Sequence, residues 1–120
     1  MRVDVRIRRI PNAQRAREWV ARRLDFALGR FAPQIDQVHV TLEDTNGPRG
    51  GVDKRCKVRV LMNGKRAPIF AEDHDADLAV AIDRAAQRVS HSVGRAINRA
   101  GRPPRGRPAA EESWPAWSLA

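Results

Sequence analysis

The sequence predicts an α+β fold of order β-α-β-β-β-α, with two helices packed on one face of a four-stranded mixed sheet. Three observations predict it. Residues 2 to 9, 36 to 43 and 54 to 62 alternate apolar with polar side chains, the period of strands that bury one face. Residues 13 to 31 and 75 to 99 instead carry apolar stripes at helical spacing. Finally, Asn63-Gly64 between two such strands is a strong hairpin signal.

In the first strand Val3, Val5 and Ile7 point one way and Arg2, Asp4, Arg6 and Arg8 the other. Pro11 ends it, and Asn12 is the expected N-cap of a helix running to about Phe31. Ala16, Val20, Leu24, Ala27 and Phe31 form its apolar stripe, with Trp19 and Leu28 at the edges and Arg15 and Arg22 on one flank. Pro33 breaks that helix.

The second strand turns Val38, Val40 and Leu42 inward, and the glycine-rich segment TNGPRGGVD, residues 45 to 53, forms a loop. In the third strand Cys56, Val58, Val60 and Met62 face inward against Arg55, Lys57, Arg59 and Leu61. A fourth strand is expected over Ala67 to Ala71, with Pro68 at its start. Glu72, Asp73, Asp75 and Asp77 then read as an acidic lead-in to the last helix, where the macrodipole favours negative charge.

That helix has two chemically different stripes. Leu78, Ala79, Ile82, Ala85, Val89, Val93 and Ala96 face the core, while Arg84, Arg88, Arg95 and Arg99, with His91 among them, gather beside them. No acidic residue lies between Arg84 and Arg107, so the stripe is expected to project an uncompensated positive field. Gly101 and Pro103 stop the helix. The chain thus divides into a domain of residues 1 to 100 and a tail, 101 to 120, expected to be disordered and ending in WPAW.

A net charge of +9 and a pI near 11.4 make nucleic acid the first partner to consider. Cys56 is the sole cysteine, which excludes an intramolecular disulfide and fits a reducing compartment. No apolar run approaches the ~18 residues of a membrane span, and the charged N-terminus has no signal-peptide core. The expected location is the cytoplasm. His39, His74 and His91 have no metal-ligand spacing, with or without Cys56, and the loop NGPRGG lacks the lysine-serine ending of a nucleotide-binding loop. No nucleophile with a base and no carboxylate pair emerges, so neither an enzyme, nor a cofactor, nor a small-molecule substrate is expected.

The segments NGPRGGVDKRCKVRV (46 to 60) and EDHDADLAVAIDRAAQRV (72 to 89), in this order of elements, resemble the ribosome hibernation promoting factors, also described as ribosome-associated inhibitor or sigma-modulation proteins. The resemblance covers about residues 1 to 100. It implies a fold similar to double-stranded-RNA-binding domains, docked on the small ribosomal subunit where messenger and transfer RNA would sit. It also assigns RNA contact to Arg15 and Arg22 of the first helix and Arg84, Arg88, Arg95 and Arg99 of the last, beside His91. Long members add a dimerising domain; with about 20 residues after the helix, this chain looks like a short form.

A second reading stays open: a transcription or protein-interaction modulator that uses the outer sheet face, or Trp114 and Trp117 of the tail, on a protein partner. A generic binder of double-stranded RNA is a third.

Overall fold

In the computed structural model the described residues are 1–45, 53–64 and 66–100. Strand β1 spans Arg2–Arg8, helix α1 Ala13–Leu28, β2 Ile35–Asp44, β3 Lys54–Met62, β4 Ile69–Asp75 and helix α2 Leu78–Ala100. The strands lie in chain order, β1-β2-β3-β4. β1 and β2, joined through α1, are parallel, whereas β2–β3 and β3–β4 are antiparallel. The layout is the predicted one, and the two long central strands match the predicted alternation residue by residue.

Both helices cover one sheet face because only that face is apolar. Val38, Val40, Leu42, Cys56, Val58 and Val60 of the central strands are almost wholly buried against Val20, Leu24 and Leu28 of α1 and Ile82, Ala85, Val89 and Val93 of α2. Each such aliphatic side chain contributes roughly 1.5–3 kcal/mol relative to an exposed one. Leu28, placed at the edge of the stripe by its sequence position, is a central core residue. Ala81 and Ala86 of α2 are buried as well, a wider small-residue face than the sequence stripe suggested. Across the helix layer Ser90 donates to the Ala27 carbonyl at 2.8 Å, and Arg23 pairs with Asp83 at 2.8 Å.

Helix ends depart from the sequence reading. α1 stops at Leu28 and continues as a 3₁₀ helix, Gly29–Gln34, which accommodates Pro33 and carries Phe31 back onto the core. Asn12 occupies the N-cap position in the left-handed conformation, φ 56°, and its side chain makes no capping bond; only its carbonyl serves, accepting from Ala16 N–H at 3.1 Å. The acidic lead-in is corrected more fully. Glu72, Asp73 and Asp75 belong to β4, and Asp77 alone caps α2, accepting from the Ala79 N–H at 2.9 Å.

The hairpin at Asn63-Gly64 is present, with Gly64 at φ 83°, a conformation that glycine adopts at little cost. Register pairs Val60 with Ile69, so the turn is longer than the two-residue form. The glycine-rich segment between Thr45 and Asp53, the stop signals Gly101 and Pro103, and the tail with Trp114 and Trp117 lie outside the described residues.

At the end of the sheet beside that segment the inward face turns from aliphatic to charged. Asp44 follows Leu42 on β2, and Asp53, only 1% exposed, precedes β3. Lys54 donates to both, at 3.2 Å to Asp44 and 2.9 Å to Asp53. Buried carboxylates are costly unless paired and hydrogen-bonded. The bond to Asp53, and with it the bond to Asp44, holds the Lys54 ammonium above its ordinary pKa. Thr45 closes the junction, giving the Asp53 carbonyl both its N–H, at 2.8 Å, and its hydroxyl, at 3.0 Å.

Candidate nucleic-acid interface

The outer surface of the helix layer carries the cations singled out from the sequence. Helical geometry at about 100° per residue puts Arg15 and Arg22 on the side of α1 away from Ala16, Val20, Leu24 and Leu28. The same geometry turns Arg84, Arg88, His91, Arg95 and Arg99 away from the buried stripe of α2, and all seven residues are exposed. All seven project from the helix layer. Asp83 and Ser90 mark the flank of α2 that meets α1; Arg84 and Arg88 lean over the opposite flank toward β4, and Arg95 and Arg99, each about three turns further on, fall on that same flank.

That lean has an electrostatic consequence. Arg84 pairs with Asp75 at 3.2 Å; Arg88 pairs with Asp73 at 3.5 Å and donates to the Glu72 carbonyl at 3.2 Å. The expectation of a wholly uncompensated stripe is therefore corrected at its first two members. Their carboxylates lie on the preceding strand, which a search for acidic residues within the helix could not find. By contrast, Arg15, Arg22, Arg95 and Arg99 have no carboxylate partner among the described residues. Exposed cations of this kind, spaced along two neighbouring helices, can meet successive phosphates of a folded polyanion.

Sequence reasoning missed the aromatic element of the same surface. Trp19 is 37% exposed and Phe26 81% exposed, and they alternate along α1 with Arg15 and Arg22. Trp19 also lines a groove of about 310 Å³ between the first turns of the two helices, together with the apolar Pro11, Ala16, Leu78, Ala79 and Ile82 and the polar Arg15 and Asn12. The signal was in the spacing of Arg15, Trp19, Arg22 and Phe26, read at first only for its apolar stripe.

The opposite, open sheet face is basic too, but differently organised. Register aligns its side chains in cross-strand rows: Asp4, His39, Arg59 and Phe70; then Arg6, Thr41, Lys57 and Glu72; then Arg8, Glu43, Arg55 and His74. Every one of these rows contains a carboxylate. Arg55 donates to Glu43 at 2.7 Å and lies 3.8 Å from Glu72, and His74 and His39 approach Glu72 and Asp4 at 3.5 and 3.7 Å. The Arg55 hydrogen bond holds the Glu43 carboxyl below the ordinary carboxylate range. The first row, with Arg6, Thr41 and Lys57 of the second, lines a shallow cleft of about 350 Å³.

Cys56 is buried beneath this end of the sheet, and burial, with Asp73 and Glu72 nearby, pushes its thiol up to about 12. It is a small core residue. Among the described residues no group of His, Cys, Asp and Glu is arranged to hold a metal ion, and no helix is long and apolar enough to cross a membrane.

Residues 3–100 match the family described as sigma 54 modulation protein / S30EA ribosomal protein. The chain belongs to this family. It is the family whose likeness the segments 46 to 60 and 72 to 89 carry. Among solved structures the fold is similar to the Thermus thermophilus Protein Y N-terminal domain, with a TM-score of 0.60 and 27% sequence identity over 79% of this chain and 98% of that one. It is also similar to a ribosomal subunit interface protein from Coxiella burnetii, with a TM-score of 0.66 and 14% identity over 82% of this chain and 99% of that one; there the likeness is one of fold. No curated protein matches the chain.

Proposed function

We propose that this protein is a non-catalytic, cytoplasmic ribosome-associated factor whose helical face binds rRNA of the small subunit. By occupying the place of messenger and transfer RNA it idles ribosomes under stress. One observation carries the reading: Arg15, Arg22, Arg95 and Arg99 are exposed on the helix layer with no carboxylate partner among the described residues. Family membership and the likeness to a protein named for the ribosomal subunit interface support it. Arg84, Arg88 and His91 complete the surface, the two arginines joining it by exchanging a carboxylate for a phosphate. For Arg84 the exchange is inexpensive, because exposed ion pairs are worth about 0–1 kcal/mol; for Arg88 it costs more, since Asp73 is buried and loses its cation.

Inhibition here needs no chemistry at the ribosome, only competition for the channel. Its electrostatic component makes a quantitative expectation: about four to six phosphates neutralised give a log-log slope of affinity against salt of about −4 to −5. The test is sedimentation of purified chain with small subunits and whole ribosomes at several salt concentrations, alongside translation in vitro. Salt-sensitive co-migration and depressed translation are expected. Co-migration with neither particle, or a nearly flat salt dependence, overturns the reading. In this proposal the tail with Trp114 and Trp117 engages a protein partner, which truncation after residue 102 would reveal as a lost pull-down with ribosome binding kept.

A further inference from the structure

We propose that the groove between the first turns of α1 and α2 takes an unstacked base of single-stranded RNA on the Trp19 indole, with its phosphate on Arg15, and that Phe26 offers a second stacking ring further along α1. The inference rests on the RNA-binding reading above and adds the chemical class of contact that the arginines alone do not specify.

The apolar and polar residues of the groove differ in the way a nucleotide does. Pro11, Leu78 and Ile82 give apolar lining, Trp19 is 37% exposed, and Arg15 also lines the groove, without a carboxylate among the described residues. A nucleobase is a flat, mostly apolar body tied to an anion, so this groove complements both of its parts. Asn12 lines it too. Its side chain is not spent on capping α1, and an amide presents a donor and an acceptor together, the pattern needed to meet a base edge.

Phe26 extends the argument along the helix. At seven residues from Trp19 it lies about 10 Å further on, and with 81% of its surface exposed the ring contributes little to the fold. Arg23 sits 5.5 Å from its centroid, and Arg22 is exposed beside it. Rings alternating with guanidinium groups are the arrangement by which single strands are held, bases on the rings and phosphates on the cations. A protein partner would also use exposed aromatics, but the unpaired Arg15 and Arg22 beside them favour a polyanion.

The test uses the full chain with Trp114 and Trp117 changed to Phe, so that Trp19 is the sole tryptophan reporter, and measures binding to small ribosomal subunits and to a short single-stranded oligoadenylate. Quenching of Trp19 by either is expected. W19A and F26A should each weaken both interactions by about tenfold with the salt slope unchanged, W19F should restore most of the loss, and R15A should flatten the slope by about one. F26A tests the idea even if W19A is poorly folded.

Undiminished binding of F26A and W19A to subunits overturns this inference and leaves the ribosome reading standing; a wild-type chain that binds no subunits sinks the ribosome reading first. Loss on subunits without loss on oligoadenylate means the rings meet a ribosomal protein. A change in Trp19 emission on deleting residues 101–120 without RNA means the chain's own tail fills the groove. Either result overturns the proposal.

Discussion

The two faces of the domain are both arginine-rich, yet they hold their arginines for different ends. On the sheet face, three successive cross-strand rows each include a carboxylate, and Arg55 lies among Glu43 and Glu72. On the helical face, Arg15, Arg22, Arg95 and Arg99 have no such partner among the described residues. Charge spent inside the molecule and charge left for a ligand are indistinguishable in a composition table. The difference teaches that removing cations from one side should cost binding with little stability, and from the other stability with little binding.

The largest expected effect tests that division directly. R15A/R22A/R95A/R99A should weaken ribosome binding on the order of a hundredfold or more at moderate salt and remove most of the salt slope, while the thermal midpoint hardly moves. R2A/R6A/R8A removes three exposed cations from β1 of the sheet face and should leave affinity within about threefold, a nonspecific share of long-range attraction. Comparable losses in both variants, measured by sedimentation, would erase the distinction.

Next comes Lys54→Met. It strands the buried Asp53 without its cation and takes one ion pair from Asp44, and should lower the denaturant midpoint more than any of the helical-face changes. In the wild type the Lys54 pKa is raised on folding, so its stabilisation is complete below the unfolded value and is lost as pH rises through the folded one. Asp73→Asn is smaller and sharpens the comparison at its boundary. It keeps the oxygen that accepts from the His74 N–H but frees Arg88, so RNA affinity should rise a few-fold and the salt slope should steepen by about one.

The smallest effect belongs to Glu43→Gln. The folded pKa of Glu43 is depressed by Arg55, so its stabilisation is present above the unfolded value, about 4.3, and is lost as pH falls through the folded one. Acid unfolding of E43Q should show a flatter dependence on pH in that window, with binding at neutral pH unaltered.

Much of the fold was legible because burial imposes a period. Strands β2 and β3 run through the centre of the sheet, and their alternation fixed which of Val38, Val40, Leu42, Cys56, Val58 and Val60 lie inside. The expected fourth strand stops short of the end of β4 because Glu72, Asp73 and Asp75 satisfy the pattern of a helix start as well as that of a strand; only their pairing with residues 54–57 of β3, distant in sequence, decides between them. Asn12 has the residue type of a cap without its geometry, since a left-handed backbone turns the side chain away. The positions of the site arginines followed from helical spacing, but their pairing did not, because partners arrive through tertiary structure.

Two hydrogen bonds bear on how the domain behaves when many copies crowd together. Arg17 of α1 donates to the Val5 carbonyl on β1 at 2.6 Å, and Arg88 of α2 donates to the Glu72 carbonyl on β4. Those are the two border strands of the sheet, the places where a stray strand from another molecule would otherwise add and begin a fibril. A guanidinium laid on each border hinders such growth and so guards crowded copies against edge-to-edge association.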